Sequence, residues 1–210
     1  MTNGIAALTA SQRADFYAVH AKFGMPPGAL SHPGALDTAN FGGRLVLSAD
    51  PQVSHIAPTF VPFTSMAHLK SMIGTPDEHF AAGRYTDTGV VYPKPLDPDR
   101  IAYLRKNGTK HATPEEQEHL TMAAYAYVQG NSANLSDGLE GLLNSHFTPG
   151  TLAYISAEAL QVQNGQQLVI APSAAPLVLN LATIMVHGTG QIQIDSVPLT
   201  MIAQVMMVAG

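Results

Sequence analysis

Residues 160–170, LQVQNGQQLVI, decide the fold when they are set above residues 184–194, IMVHGTGQIQI. Leu160 matches Ile184, Val162 matches Val186, Gln167 matches Gln191, Leu168 matches Ile192 and Ile170 matches Ile194. Apolar and polar residues alternate with the period of a strand, and a glycine turn separates the two strands of each copy. The likeness continues in the next segment, where Pro176 and Leu177 match Pro198 and Leu199, and Leu179 matches Met201. The offset is 24 residues, then 22 after a two-residue deletion in the connecting loop. A further step of 22 carries Ile184 onto Met206 and Val186 onto Val208, so a third copy begins and the sequence stops inside it.

A period of 22 to 24 residues with three short alternating strands predicts a β-solenoid. Leu, Val, Ile and Met would then point inward, each resting on its equivalent one turn below. Gln161, Gln163, Gln167, Gln191 and Gln193 would point outward, polar but uncharged. An antiparallel β-sandwich is the alternative, because strands and turns at this spacing are routine there too. The in-register match of the loop prolines favours the solenoid, since a hairpin array has no need to repeat its corners.

Outward from this stretch, the chain changes physical regime. All ten Lys and Arg lie in residues 1–110, with eight Asp and Glu, a net charge of +2. Residues 111–210 carry seven Asp and Glu and no Lys or Arg, a net charge of −7. From Ala159 onward the only formal charge is Asp195. We therefore expect a boundary near residue 150, with a helical, loop-rich part over 1–150 and a β-domain over 151–210. The expected class is α+β.

The first part shows several helix signals. Thr9 and Gln12 have capping-box spacing before a helix that carries Phe16, Val19 and Phe23 and stops at Gly24. Pro26, Pro27, Gly28, Pro33 and Gly34 predict a loop. RLVLS (44–48) is a short strand, HIAPTFVPF (55–63) an edge strand or extended segment, and SMAHLKSMIG (65–74) a short helix. Asp97 caps a helix with Pro98 at its first position, ending near Gly108. Thr113 caps the strongest helix, in which Glu115 and Glu116 meet the positive end of the helix dipole. Its apolar stripe is Leu120, Ala123, Tyr127 and Val128, and SDGLEGLLNSHF (136–147) is a final short helix.

Composition excludes several function classes. No Lys/Arg cluster exists to neutralise phosphates, so no nucleic-acid partner is expected. The chain has no cysteine, which removes disulfides and thiolate-ligated metals. No run reaches the ~18 to 20 apolar residues of a membrane-spanning helix. The N-terminus lacks the pattern of a secretory signal, so the default expectation is a cytoplasmic protein, with signal-independent export the other route. Charged residues make up 12% of the chain, about half the usual share of roughly 25%.

No residue set signals catalysis, and no cofactor or metal is assigned. His111, Glu115 and His119 are spaced like ligands, but Pro114 starts the helix and leaves His111 outside it. Asp77, Glu78 and His79 read as a helix start. HGTG (187–190) lacks the following helix that a phosphate cradle requires, and reads as a corner of the repeat. No nucleophile elbow, Rossmann fingerprint or Walker motif occurs.

The leading expectation is a structural, self-associating protein that forms a homo-oligomer or filament through its charge-poor C-terminal β end. Met206, Met207 and Val208 are the expected interface. A solenoid end presents unpaired backbone and an apolar cross-section, which is normally protected by a cap or a partner. The second expectation is a binding module for a carbohydrate or a protein, using Gln167, Gln191 and Gln193. The third is an enzyme with its site in the histidine-bearing first half.

Overall fold

The computed structural model describes residues 4–26, 28–173, 175–195 and 199–209. Pro27 and Pro198, named above, lie outside the described residues. Helix and strand are mixed, an α+β composition. The chain forms two compact units, one of Met1–Val61 with Thr151–Gly210 and one of Pro62–Gly150. The chain crosses between the two units after Val61 and after Gly150. Residues 1–61 fold with the C-terminal segment because their strands pair with it.

The first unit is built on strands β1 (His32–Asp37), β2 (Arg44–Leu47), β3 (Thr59–Phe63), β4 (Gly150–Val162), β5 (Gln167–Ile170), β6 (Leu177–His187), β7 (Gln191–Ile194) and β8 (Leu199–Ala209). One sheet has the order β1-β4-β6-β8, with β3 also on β4, and a second has the order β2-β5-β7. The pairings β1–β4, β4–β6, β6–β8, β2–β5 and β5–β7 are all parallel. An antiparallel sandwich requires the opposite pairing. Parallel neighbours need crossover connections, and here β1, β2, β4, β5, β6 and β7 each lead into a strand of the other sheet.

The register is informative. Leu160 stands opposite Ile184, and Val162 opposite Val186. Gln167 stands opposite Gln191, Leu168 opposite Ile192 and Ile170 opposite Ile194. Leu177 stands opposite Leu199, Leu179 opposite Met201, Ile184 opposite Met206 and Val186 opposite Val208. These are the pairs that the sequence aligns at offsets of 24 and 22.

The core of this unit lies between the two sheets. It contains Leu36, Leu45, Leu47, Leu160, Leu168, Ile170, Leu179 and Ile184, all buried. Helix α1 (Ala10–Lys22) packs on the other face of the first sheet, where Phe16 and Leu8 meet Ala182. Its expected capping box forms: Gln12 N donates to Thr9 Oγ1, and Thr9 N donates to Gln12 Oε1. The buried face of the helix is Phe16 and His20, four residues apart, while Val19 is only half-buried. His20 carries no local signal in the sequence. Pro33 and Gly34, expected in a loop, lie within β1, which tolerates them because its pairing is irregular between His32 and Ala35.

His20 sits in a buried polar cluster between helix and sheet. The Tyr154 hydroxyl is 2.8 Å from His20 Nδ1, and Asn180 Nδ2 is 2.9 Å from both the hydroxyl and Nδ1. Asn180 Nδ2 also donates to Phe16 O at 3.3 Å. Among the described residues, His20 Nε2 and Asn180 Oδ1 are buried without hydrogen-bond partners. Burial lowers the pKa of His20, with the Ala29 backbone pulling weakly the other way, and burial pushes Tyr154 up to about 12.

The second unit contains α2 (Met66–Ile73), α3 (Asp77–Ala81), α4 (Pro98–Asn107), α5 (Pro114–Gln129) and α6 (Leu139–Phe147). The chain passes through it between β3 and β4. The caps are those expected: Asp97 accepts from Asp99 N and Arg100 N, and Thr113 and Glu116 form a capping box. Leu120, Ala123, Tyr127 and Val128 are buried, as the stripe requires. Arg100 clamps Glu116 through two nitrogens at 2.6 and 2.8 Å, holding the carboxyl at a pKa of about 2.

Lys70 is the buried charge of this unit. Its Nζ donates to Asp77 Oδ1 at 2.7 Å, Tyr127 O at 2.8 Å and Gly130 O at 2.6 Å. The two carbonyls belong to the C-terminal turn of α5, where a cation complements the helix dipole. Asp77 also accepts from Ser132 N and Oγ. All three ammonium protons are thereby satisfied, which makes Lys70 a structural tie between α2, α3 and α5.

Two predictions follow from these clusters. Lys70→Met removes the ammonium from Asp77, which keeps Ser132, and leaves two carbonyls without that donor, so it should cost the second unit about 2 kcal/mol in urea unfolding. A loss below about 1 kcal/mol would contradict the role. His20 is harder to protonate in the folded state than in the unfolded one. Stability should therefore fall as pH drops below the ordinary value of 6.5 toward the lowered one. His20→Gln should reduce that acid-side slope in melting temperature, and an unchanged slope would contradict it.

Candidate functional site at the open end of the strand stack

The parallel register arranges the core as columns of side chains, one residue per level. One column runs Leu36, Leu160, Ile184, Met206. A second runs Val162, Val186, Val208, and a third runs Leu47, Ile170, Ile194. Along the first column, exposure is 0%, 0%, 1% and then 61%. Along the second it is 0%, 8% and then 73%, and along the third 0%, 0% and then 53%. Each residue is covered by the one above it, and the last has nothing above it among the described residues. Met206, Val208 and Ile194 are therefore the cut cross-section of the core.

The backbone makes the same point. β8 and β7 end the two sheet orders, so among the described residues no strand pairs with their outer edges. β8 spans eleven residues and carries no charge. A long, apolar, unprotected edge is a template for pairing with another chain. Met207, 38% exposed, stands in the column of Gln161 and Met185 on the opposite face of the strand. The three expected interface residues are thus adjacent on one edge strand, and Ile194, which the sequence analysis does not name, joins them from the other sheet.

The corners of the stack are tied level to level. Thr189 donates through N and Oγ1 to Asn164 Oδ1, both at 3.0 Å. Asn164 and Thr189 belong to the glycine turns of successive copies, QNGQ and HGTG. Gly188 has φ +53°, and a Cβ there would strike the Asn164 amide. HGTG is a corner between β6 and β7, followed by a strand and not by a helix.

The glutamines divide into two environments. Gln167 Nε2 donates to Gln191 Oε1 at 3.2 Å, an amide pair between successive levels. Gln193 stands above Val169 and Val46, not above another amide, and its Nε2 donates to Asp195 Oδ1 at 2.8 Å. Gln163 Nε2 donates to Asp37 Oδ2 at 2.9 Å. Each of these hydrogen bonds lies within the chain.

His111, His119 and His146 belong to the second unit. His111 is in the turn before α5, its ring centroid 6.5 Å from that of Tyr103. His119 is half-buried on α5, and burial lowers its pKa. His146 Nδ1 meets Thr109 Oγ1 at 2.7 Å. Among the described residues, no group of three His, Asp or Glu side chains is placed to hold a metal ion, and no helix is long and apolar enough to cross a membrane. No family model, curated protein or solved structure matches this chain.

Proposed function

We propose that this is a structural, self-associating protein. Its first unit is a short β-solenoid in which each turn gives one long strand to the first sheet and one short strand to the second, not the three short strands expected from the sequence, and the level formed by β7 and β8 is its assembly surface. The parallel, in-register stack supports the solenoid reading, as do the corner bonds between Asn164 and Thr189. The single observation that carries the assembly reading is the abrupt exposure of the core columns at Met206, Val208 and Ile194.

The energetics favour covering this end. Fully burying a Met, Val or Ile side chain is worth about 1.5 to 3 kcal/mol. Three such residues and an edge strand offset a substantial part of the entropy lost on association. The charge deficit after Ala159 fits the same reading, because an uncharged surface offers no repulsion to a second apolar surface. The amide pair of Gln167 and Gln191 serves as a brace between levels, in the manner of amide ladders in stacked sheets.

Light scattering after size exclusion, over a dilution series, tests this directly. The wild-type chain should exceed its 22.2 kDa mass at high concentration. Met207→Lys or Val208→Lys should restore the monomer with unchanged circular dichroism, since both side chains are exposed in the isolated chain. A wild-type protein that stays at 22.2 kDa throughout, or an assembly indifferent to both substitutions, would refute the assignment.

A further inference from the structure

We infer that the partner is a second copy of this chain docked tail to tail, β8 against β8 about a twofold axis, in a closed dimer that does not grow into a filament. The inference rests on the self-association reading and goes beyond it in partner geometry. It comes from comparing the two ends of the strand stack.

The first end is closed by the chain itself. In a parallel edge strand, alternate residues direct N–H and C=O outward. In β2 the outward residues are Arg44 and Val46, and both groups of Val46 are taken. Val46 N donates to His55 Nδ1 at 3.1 Å, and His55 N donates to Val46 O at 2.9 Å. The His55 ring stacks on Phe41, with centroids 5.3 Å apart and planes 6° apart. The next residue, Ile56, is buried in the core, with Phe41 packed against the same cluster. The segment after β2 thus covers both the edge and the cross-section.

β1 is blocked in a different way. Pro33 has no N–H to donate, Gly34 has φ +87°, and the pairing slips between His32 and Ala35. Proline and a bulge are recognised means of stopping an edge from pairing further.

The second end has none of these devices among the described residues. β8 contains no proline, no glycine and no charge. An open β8 therefore meets no complementary surface at the β1–β2 end of another copy, because the core there is covered and the ladder is interrupted at Val46 in β2, at Pro33 in β1 and at Pro62 in β3, which lies on the same side of β4. The surface that complements an open end is another open end. Two identical uncharged edges meet without repulsion, and an interface made of the same patch on both copies closes at two. Antiparallel pairing centred on the exposed run sets Met207 of each copy opposite its own counterpart.

The cysteine-free chain provides a clean test. Directly opposed residues of antiparallel strands have Cβ atoms about 4.5–5.5 Å apart, close enough for small adjustments to admit a disulfide. Met207→Cys alone, at concentrations where light scattering levels off at two copies, should oxidise to a covalent dimer. Val208→Cys is a second probe of the same axis. Cross-linking that requires a mixture of Met207→Cys and His32→Cys, or growth past two copies, would overturn the tail-to-tail arrangement while leaving self-association standing. A monomer at every concentration would overturn both.

Discussion

The first unit depends on one constraint, that every inward apolar residue is covered by its equivalent on the next level. Parallel in-register pairing imposes it, because a strand stacked without slip places like above like. Leu160, Ile184 and Met206 obey this rule, as do Leu168 and Ile192. The rule stabilises the interior at little cost in specificity, since Leu, Ile, Val and Met are close in volume. It also creates a difficulty at both ends, where the last covered residue must be covered by something else. The chain meets this at one end with His55, Ile56 and Phe41, and leaves Met206, Val208 and Ile194 exposed at the other.

The polar groups of the unit follow the same logic. Corner bonds from Asn164 to Thr189 and the Gln167–Gln191 amide pair join levels, as the apolar columns do inside. Helix α1 covers the outer face of the first sheet, and there the stack departs from an apolar pattern. The His20–Tyr154–Asn180 cluster leaves two buried polar atoms unpaired among the described residues. Buried unpaired groups are costly.

Much of this was legible in the sequence, and what was missed has physical reasons. The levels of β4, β6 and β8 were visible because fixed offsets of 24 and 22 are the imprint of register. The first level was not visible. β1 and β2 pair with β4 and β5, but Leu36 is 124 residues from Leu160 and Leu45 is 123 from Leu168, with the helical unit between them. No short period survives such an insertion. β1 also carries Pro33 and Gly34, which look like a loop, and only Leu36 and Asp37 keep the alternation. The helices were legible because their caps are local: Thr9, Asp97 and Thr113 lie within four residues of what they bond. His20 and Lys70 were not, since their partners are brought to them only by folding. The exposure of Met206 and Val208 could be anticipated, whereas that of Ile194 needed the second sheet.

The central claim is that the exposed β8 edge is buried by another copy. Hydrogen–deuterium exchange of the β8 amides, resolved by residue and repeated at low and high protein concentration, addresses that edge without altering a residue. Amides directed toward β6 should be protected at every concentration. Those directed outward should exchange freely when dilute and become protected when concentrated. Outward amides that exchange at the same fast rate at every concentration would contradict the account.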